Sequence, residues 1–504
     1  MPRLKYNNLF PFHFLLIPVF FIWHVCNEYF GLIPISYWST YFLYYTGLSL
    51  LFFLLGKILF KKKDKAGVWA SVLLIIFFFW GSFHDFLNTH LSPFFSSYKF
   101  LLSLLFIFLV LLTARLRRKR STIQKTNSFL NILLIALLLI EGTTSLYKAI
   151  NSEVKKNNLT YYNKPLPAPL FSEPDSLKPD IFYIIFDEYA SSLSLKHYLN
   201  YDNSKLDSVL IKNGFYIAAG SKSNYYSTVF SIASTFSLDY FNLSLEKKKL
   251  FPKELLQAQF TIKQATFPAF LKNHGYSIKN YGLCDINGQP SPEEPFVNPD
   301  IRDILHKETF WGRVKDDILW HIPIRWLSLI FPDEEMIQRR DDLRRNHNNY
   351  KNLLNELTIQ TRQPKFVFGH ILMPHGRYYL NKKGEERNVN RSDDTPGIGD
   401  SLYLDQLIYT NTWIESLVAS ANQEFSRPRV VIIQGDHGRR DIVPYHPVLK
   451  REKQFMNLNC FYFSDKNYAT LYDSISSVNT FRVFLNKYFH SGMPLLKDST
   501  IRMQ

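Results

Sequence analysis

Cysteine is scarce in this sequence: the 504 residues include three cysteines, at positions 26, 284 and 460. They lie far apart in the chain and form none of the closely spaced pairs that are typical of structural zinc sites. A disulfide between Cys284 and Cys460 is one interpretation, and small buried apolar residues are the simpler one. Cysteine pairs therefore do not predict a metal site here.

The sequence also lacks the signatures of nucleotide binding. It contains no Walker loop, no dinucleotide fingerprint and no internal repeat. A net charge of +16 would suit a nucleic-acid partner, but residues 1–126 concentrate this charge, with 14 Lys and Arg against 3 acidic residues. Because the charge lies beside long apolar runs, it does not predict nucleic-acid binding.

Long hydrophobic runs dominate this first quarter of the chain. Each is about as long as a helix that crosses the hydrocarbon core of a bilayer. The first run lacks the small-residue cleavage site of a signal peptide, and four more runs follow it. The sequence therefore predicts a transmembrane domain of five helices over residues 1–145. The predicted spans lie near residues 11–30, 38–60, 67–87, 99–116 and 128–145.

Basic residues alternate between the loops of this domain. They cluster at 57–65 and 115–125, whereas the loops near 31–37 and 87–98 contain no Lys or Arg. Since basic loops stay on the cytoplasmic side, the pattern places the N-terminus in the cytoplasm. We therefore expect a multi-pass protein of the inner (plasma) membrane, with the chain after residue 145 in the periplasmic or extracellular space.

The rest of the chain has the pattern of a different domain. Residues 146–178 are typical of a juxtamembrane helix followed by a proline-rich linker. Short apolar runs then alternate with amphipathic segments, which predicts an α/β domain with a largely parallel central sheet flanked by helices over residues 179–490, and a tail at 491–504. Strands are predicted at 181–186, 276–281, 366–368, 430–433 and 458–463.

Ionisable residues follow several of these strands, where open α/β sheets bind ligands. Asp187 follows the first strand, although a lone acid there can equally be a loop residue or a helix cap. Asp436 and His437 follow the strand at 430–433, and an adjacent carboxylate and imidazole can bind a metal. The sequence thus predicts candidate ligands at one edge of the sheet.

A hydroxyl-rich run from Asn224 to Ser237 turns apolar with helical spacing. Ser227 or Thr228 would cap such a helix. A cap does not exclude catalysis, because the amide groups and the positive dipole end of a helix N-terminus favour a phosphate.

The order of these features resembles the alkaline phosphatase and sulfatase superfamily. An acid follows the first strand, a threonine begins a helix further along, and Asp-His-Gly occurs late in the domain. The run from Thr228 to Ser237 is similar to the segment of lipid A phosphoethanolamine transferases in which a serine follows the nucleophilic threonine. These enzymes and the lipoteichoic acid synthases also have five membrane helices before an extracytoplasmic catalytic domain.

The resemblance implies roles for individual residues. It makes Thr228 the nucleophile, and it implies a divalent metal, zinc or manganese. The implied metal ligands are Asp187, Thr228, Asp436 and His437. The implied substrate-binding residues are His370, His375, His446 and Arg439. Structural histidines and a surface arginine are the alternative for this second set. The membrane transferases usually have glutamate at the position of Asp187, which leaves the branch of the superfamily open.

Together these features predict a membrane-anchored, metal-dependent enzyme. It would transfer a phospho-substituent to an envelope lipid or glycan through a phospho-threonine intermediate. The alternatives are a phosphodiester or phosphomonoester hydrolase, a sulfuric ester hydrolase, and a non-catalytic membrane scaffold or sensor. A true sulfatase is disfavoured because residues 231–235 lack the arginine of the formylglycine motif.

Overall fold

The chain folds into two units, each built from two separate stretches of the sequence. The first unit comprises residues 1–155 and 299–330, and the second comprises 156–298 and 331–504. Residues 299–330 fall within the predicted catalytic domain of residues 179–490. The computed structural model describes residues 10–30, 35–119, 121, 123–151, 166, 178–241, 252–292, 301–317, 334–387, 398–423, 425–440 and 452–501.

The first unit begins with apolar helices. Among the described residues, four helices are long and apolar enough to cross a membrane, over Trp38–Phe60, Lys63–His90, Tyr98–Arg118 and Gln124–Ile150. The first helix has 16 residues, about 24 Å of helix, so the predicted count of five spans is not confirmed. An apolar helix nevertheless lies at each predicted position. The helices are α1 His13–Glu28, α2 Ile35–Phe60, α3 Lys63–His90, the short α4 Pro93–Ser96, α5 Tyr98–Arg118 and α6 Gln124–Ile150.

Helix α1 lies among α2, α3 and α6. Several of its apolar side chains are buried: Phe14 stacks on Phe53 at 4.2 Å between ring centroids, and Phe21 stacks on Phe78 at 4.7 Å. In contrast, α2, α5 and α6 expose many large apolar side chains, as expected for helices in contact with lipid. This part of the chain is that of a membrane protein.

Polar side chains tie both ends of α1 to its neighbours. The ring nitrogens of His13 lie 2.5 Å from Ser71 Oγ and 2.7 Å from Asn127 Oδ1. At the other end, Glu141 of α6 accepts hydrogen bonds from His24 and Asn27, at 2.7 and 2.5 Å. Because unpaired polar groups are costly in apolar surroundings, these bonds fix the position of α1.

The remaining elements form an α/β domain, except for two helices, α12 and α13, that belong to the first unit. In chain order they are β1 Asp180–Phe186, α7 Ser192–Leu199, α8 Ser204–Lys212, β2 Tyr216–Ile217, α9 Thr228–Ser237, α10 Pro252–Lys263, α11 Thr266–Asn273, β3 Ser277–Tyr281, α12 Ile301–Glu308, α13 Phe310–Asp317, α14 Glu334–Thr358, β4 Lys365–Ile371, α15 Ile398–Ala421, β5 Arg429–Gly435, β6 Asn459–Phe463 and α16 Thr480–Phe489.

The six strands form one sheet in the order β2-β6-β5-β1-β4-β3. Strands β3, β4, β1 and β5 are parallel, whereas β6 runs antiparallel to β5 and β2. The prediction of a largely parallel sheet is confirmed, with a strand at each of the five predicted positions. The two-residue strand β2 was not predicted, because it is too short to have a hydrophobic pattern.

The central strands are buried on both faces, which explains their continuous apolar sequences. In β1, Ile181 and Ile185 face one hydrophobic core, and Phe182 and Phe186 face the other. The sheet therefore separates two layers of packed side chains. This arrangement leaves the carboxyl ends of β1, β4 and β5 at a common edge.

Candidate functional site

The strand register brings two predicted carboxylates together. Phe186, the last residue of β1, lies opposite Gly435, the last residue of β5. Asp187 and Asp436 follow these two residues directly, and both are buried. The backbone N–H of Asp187 donates to the carbonyl of Ile371 at the end of β4, at 2.9 Å. Three adjacent parallel strands thus position the first residue of the site.

Asp187, Asp436 and His437 form a group that can hold a metal ion. One ligand atom from each lies within 4.8 Å of the others. Asp187 Oδ1, Asp436 Oδ2 and His437 Nε2 are buried and have no hydrogen-bond partner among the described residues. The other ring nitrogen of His437 lies 2.8 Å from the carbonyl of Gly438, which can only accept. Nε2 therefore presents a lone pair, and three acceptor atoms face one another.

Such convergence of acceptors can hold a cation. Buried carboxylate oxygens and imidazole nitrogens without partners are unfavourable unless a positive charge lies between them. Two oxygens and one nitrogen suit zinc or manganese. The residues present therefore fit the metal that the sequence analysis predicted.

The second oxygen of Asp436 is fixed by backbone donors. Oδ1 accepts hydrogen bonds from the N–H groups of Glu188 and His437, both at 2.9 Å. Glu188 adopts a left-handed conformation with φ 62°, which is uncommon for a residue other than glycine. The hydroxyl of Ser231 on α9 donates to the Asp436 carbonyl at 2.6 Å. These bonds connect the turn after β1, helix α9 and the loop after β5.

Thr228 is the first residue of α9, and its hydroxyl faces this group. Its Oγ1 lies 3.5 Å from Asp187 Oδ2. Ser227 occupies the N-cap position without a side-chain capping bond. The apolar side of α9, including Phe230 and Phe236, packs into the core against the sheet. The core packing thus holds the helix N-terminus, with Thr228, at the edge where the carboxylates lie.

His370, within β4, contacts the same carboxylate. Its Nε2 lies 3.1 Å from Asp187 Oδ2, and the whole side chain is buried. Burial alone would raise the pKa of Asp187, but the charge of His375 and the hydrogen bond with His370 hold this pKa well below the usual range. Asp187 is therefore ionised, as a metal ligand must be.

His375 lies in the loop after β4, beside two residues that were not assigned to the site from the sequence. Arg440 donates to its Nε2 at 2.7 Å, and Glu188 Oε2 lies 3.9 Å from the same atom. Glu188 Oε1 accepts from the backbone N–H of Arg440 at 2.5 Å. Burial lowers the pKa of His375, but Asp187 and Glu188 raise it by more, so the net shift is upward.

Arg439, another predicted substrate-binding residue, contacts a different set of residues. The guanidinium of Arg439 pairs with Asp400 and lies 4.7 Å from the ring centroid of Tyr403. His446 lies outside the described residues. Two residues next to predicted ones, Glu188 and Arg440, contact His375 instead. In the sequence, Glu188 completes the acidic pair after the first strand, and Arg440 is the second of two arginines that could bind an anionic substrate.

A cavity of 190 Å³ opens beside His375. Its lining includes Asp342, Met373, Arg377 and Tyr379 from α14 and from the loop after β4. The cavity has room for a small polar group next to the histidine.

Comparisons with known proteins identify a family. The family model described as Sulfatase matches residues 179–454. No curated protein sequence matches the chain.

Solved structures of three bacterial transferases are also similar to this chain. The integral membrane protein lipooligosaccharide phosphoethanolamine transferase A from Neisseria meningitidis is 12% identical over 95% of this chain and 94% of that chain, with a TM-score of 0.37. The C-terminal periplasmic domain of EptC from Escherichia coli, in complex with zinc, is 12% identical over 65% and 86%, with a TM-score of 0.36. The corresponding domain of phosphoethanolamine transferase EptC from Campylobacter jejuni is 15% identical over 62% and 89%, with a TM-score of 0.35.

Proposed function

Because this chain belongs to the sulfatase family, within the alkaline phosphatase-like superfamily, we propose that it is a membrane-anchored, metal-dependent phosphotransferase with Thr228 as its nucleophile. The observation that carries the proposal is the position of the Thr228 hydroxyl. It lies at the start of α9, 3.5 Å from Asp187 Oδ2, beside three acceptor atoms that have no hydrogen-bond partner in the described part of the chain. A hydroxyl in this position can act as a nucleophile, and a cation held by the neighbouring acceptor atoms would stabilise the oxygen as it loses its proton.

The metal would be held by Asp187, Asp436 and His437, with Thr228 as a further ligand. Bound there, a zinc or manganese ion lowers the pKa of a nearby hydroxyl and neutralises negative charge on the transferred group. Hydrogen bonds within the protein orient the Asp436 carboxylate. The backbone N–H groups of Glu188 and His437 donate to one of its oxygens and leave the other oxygen for the ion.

Transfer would take place in two steps. Oγ1 of Thr228 forms a bond to the phosphorus atom of the donor and loses its proton, while the bond from phosphorus to the donor oxygen breaks and that oxygen takes up a proton. An acceptor hydroxyl then bonds to phosphorus and loses its proton, and Oγ1 leaves and regains one. Each step conserves charge and atoms, and the intermediate is a phospho-threonine.

His375 and Arg440 are the residues that we assign to the oxygens of the transferred group. Arg440 already donates to His375 Nε2, and a guanidinium is well suited to bind phosphate oxygens. The cavity beside His375 would accept the substituent carried on the phosphorus.

The membrane helices support an envelope lipid or glycan as substrate. The same chain contains four helices that can cross a bilayer, so the enzyme is retained where such substrates occur. Hydrolysis by water is the alternative second step, and the same active site would perform it.

Substitution of the nucleophile tests this function. We expect Thr228→Ala to lower turnover by at least about a thousandfold, because the covalent route is lost. Thr228→Ser keeps a hydroxyl and should retain measurable turnover. Ser227→Ala, at the adjacent position, is the matched control and should stay close to wild type.

The measurement is mass spectrometry of envelope lipids and glycans from cells that carry each variant. Loss of one phosphorus-containing substituent with Thr228→Ala, and a phosphorus-containing adduct on the wild-type peptide that contains Thr228, would support the proposal. Near-normal transfer by Thr228→Ala would refute the mechanism.

A further inference from the structure

Helices α12 and α13 are separated from the rest of the first unit in sequence but are part of it in the structure. They follow β3 and precede α14, which both belong to the α/β domain. Both helices pack against α3, the longest of the apolar helices. The chain therefore returns from the α/β domain to the membrane unit and leaves it again.

The contact with α3 is close at the backbone level. A Cβ atom on Gly81 would lie 2.3 Å from the carbonyl oxygen of Lys307 and 2.8 Å from the Cα of Glu308. Only glycine permits this approach. The hydroxyl of Ser82 donates to Glu308 at 2.6 Å, and the ring of Phe310 packs edge-on against Trp80. These contacts form a closely packed interface between α3 and the two helices α12 and α13.

Charged and polar side chains fix the second of the two helices. Arg313 donates to Asp85 on α3 at 2.5 Å and to the carbonyl of Lys307 at 2.7 Å. The hydroxyl of Tyr98, at the start of α5, donates to Asp317 at 2.5 Å. Two membrane-unit helices therefore hold α13 through its first and last turns.

Large apolar side chains are exposed at this end of the unit. Trp311 of α13 is 51% exposed, and Phe86, Leu91, Phe94 and Phe95 are 46–65% exposed on α3, α4 and the residue between them. Soluble proteins rarely expose this many large apolar side chains to water. Aromatic side chains of this kind, next to membrane helices, are typical of the lipid headgroup region.

We propose that α12 and α13 form an interfacial anchor, a helix pair that is docked on α3 and lies among phospholipid headgroups with Trp311 inserted. The occupant of the exposed apolar surface is the membrane because Phe86 lies on α3, a helix that can cross a bilayer, and Trp311 lies on α13, which packs against α3. The anchor gives the chain a second attachment to the bilayer, which the contacts with α3 hold in place.

Depth-dependent fluorescence quenching tests the anchor in the full-length protein. The three native cysteines are replaced by serine, a single cysteine is introduced as Trp311→Cys and labelled with an environment-sensitive fluorophore, and the protein is placed in phosphatidylcholine vesicles that contain nitroxide lipids. We expect stronger quenching by a headgroup nitroxide than by a nitroxide deep in the acyl chains. Leu193→Cys on α7 is the matched control, because Leu193 is apolar and 54% exposed.

A charge exchange tests whether docking on α3 holds the anchor in place. Asp85→Arg should reduce the quenching at position 311 because it repels Arg313, and Asp85→Arg combined with Arg313→Asp should restore it. Equal quenching at positions 311 and 193, or no quenching at 311, would overturn the anchor. Neither readout uses enzyme activity, so failure of the proposed phosphotransfer would leave this test unchanged.

Discussion

At the scale of single residues, the candidate site depends on three ligand atoms that have no hydrogen-bond partner among the residues that the structure describes. Asp187, Asp436 and His437 each use one polar atom in a protein hydrogen bond or contact and present another to the same space. The hydrogen bonds orient the ligands before any ion binds. Hydrogen bonds to the ligands of metal sites generally orient those ligands in the same way.

Metal content should follow from these three residues. We expect the purified wild-type protein to hold about one tightly bound transition metal per chain, and Asp436→Ala with His437→Ala to lose it, because two of three ligands are removed. Elemental analysis by mass spectrometry measures this. Asp405→Ala with Asp465→Ala removes two carboxylates elsewhere in the domain and is the control. Equal metal in all three proteins would place the metal elsewhere.

Sequence reasoning placed some of these residues because they follow recognisable strands. Asp187 and Asp436 follow apolar runs, so their meeting at one sheet edge was predictable from the parallel pairing. Glu188 and Arg440 were not assigned, since their contacts depend on the left-handed turn at position 188 and on a loop that begins at the end of a different strand, β4. Such contacts are set by tertiary structure and have no local pattern.

At the scale of elements, α9 connects the proposed nucleophile, Thr228, with the candidate metal ligand Asp436. Ser231, one turn after Thr228, donates to the carbonyl of Asp436, so the helix and the loop after β5 are held in register. The helix-like pattern from Thr228 was predicted from the sequence, but this partner was not, because 205 residues separate Ser231 from Asp436.

Ser231→Ala should weaken both the fold and the site. Leaving the buried carbonyl without its donor costs about 1–3 kcal/mol, and the freed loop should bind metal less tightly. Ser234→Ala is the matched control on the same helix, because the hydroxyl of Ser234 bonds to a carbonyl of its own helix. Thermal unfolding and metal titration measure the two effects. The same metal affinity in both variants would contradict a positioning role for Ser231.

The loop that carries His375 is held in a similar way by helices α14 and α15. Asn346 accepts from the N–H of Leu372 at 2.7 Å, and Gln406 donates to the carbonyl of His375 and accepts from Leu380. Strand positions were predictable because buried parallel strands are continuously apolar. The direction of β6 was not, since parallel and antiparallel pairing can bury the same apolar residues.

At the scale of the whole molecule, the grouping of α12 and α13 with the first unit could not be predicted from the sequence. Their amphipathic pattern fits a surface helix of the α/β domain equally well. The deciding contact, between Arg313 and Asp85, joins residues that are 228 positions apart.

Orientation in the membrane is a prediction from charge that the structure leaves to experiment. Basic loops at 57–65 and 115–125 should lie in the cytoplasm, and residues after 145 on the opposite side. Alkaline phosphatase fused after residue 160 should therefore be active, and green fluorescent protein at the same position should be dark. A control fusion after residue 120 should give the reverse result. Fluorescence at 160 would refute the topology and the envelope substrate with it.

The polar contacts of α1 have a consequence for biosynthesis. His13 and Asn27 find their partners on α6 at positions 127 and 141, each 114 residues later in the chain. While the ribosome is still making the intervening helices, α1 must wait in the translocation channel or the bilayer with imidazole and amide groups that water no longer reaches. Helix α6 therefore completes the polar contacts of α1, and chains that terminate before α6 should be recognised and degraded by membrane quality control.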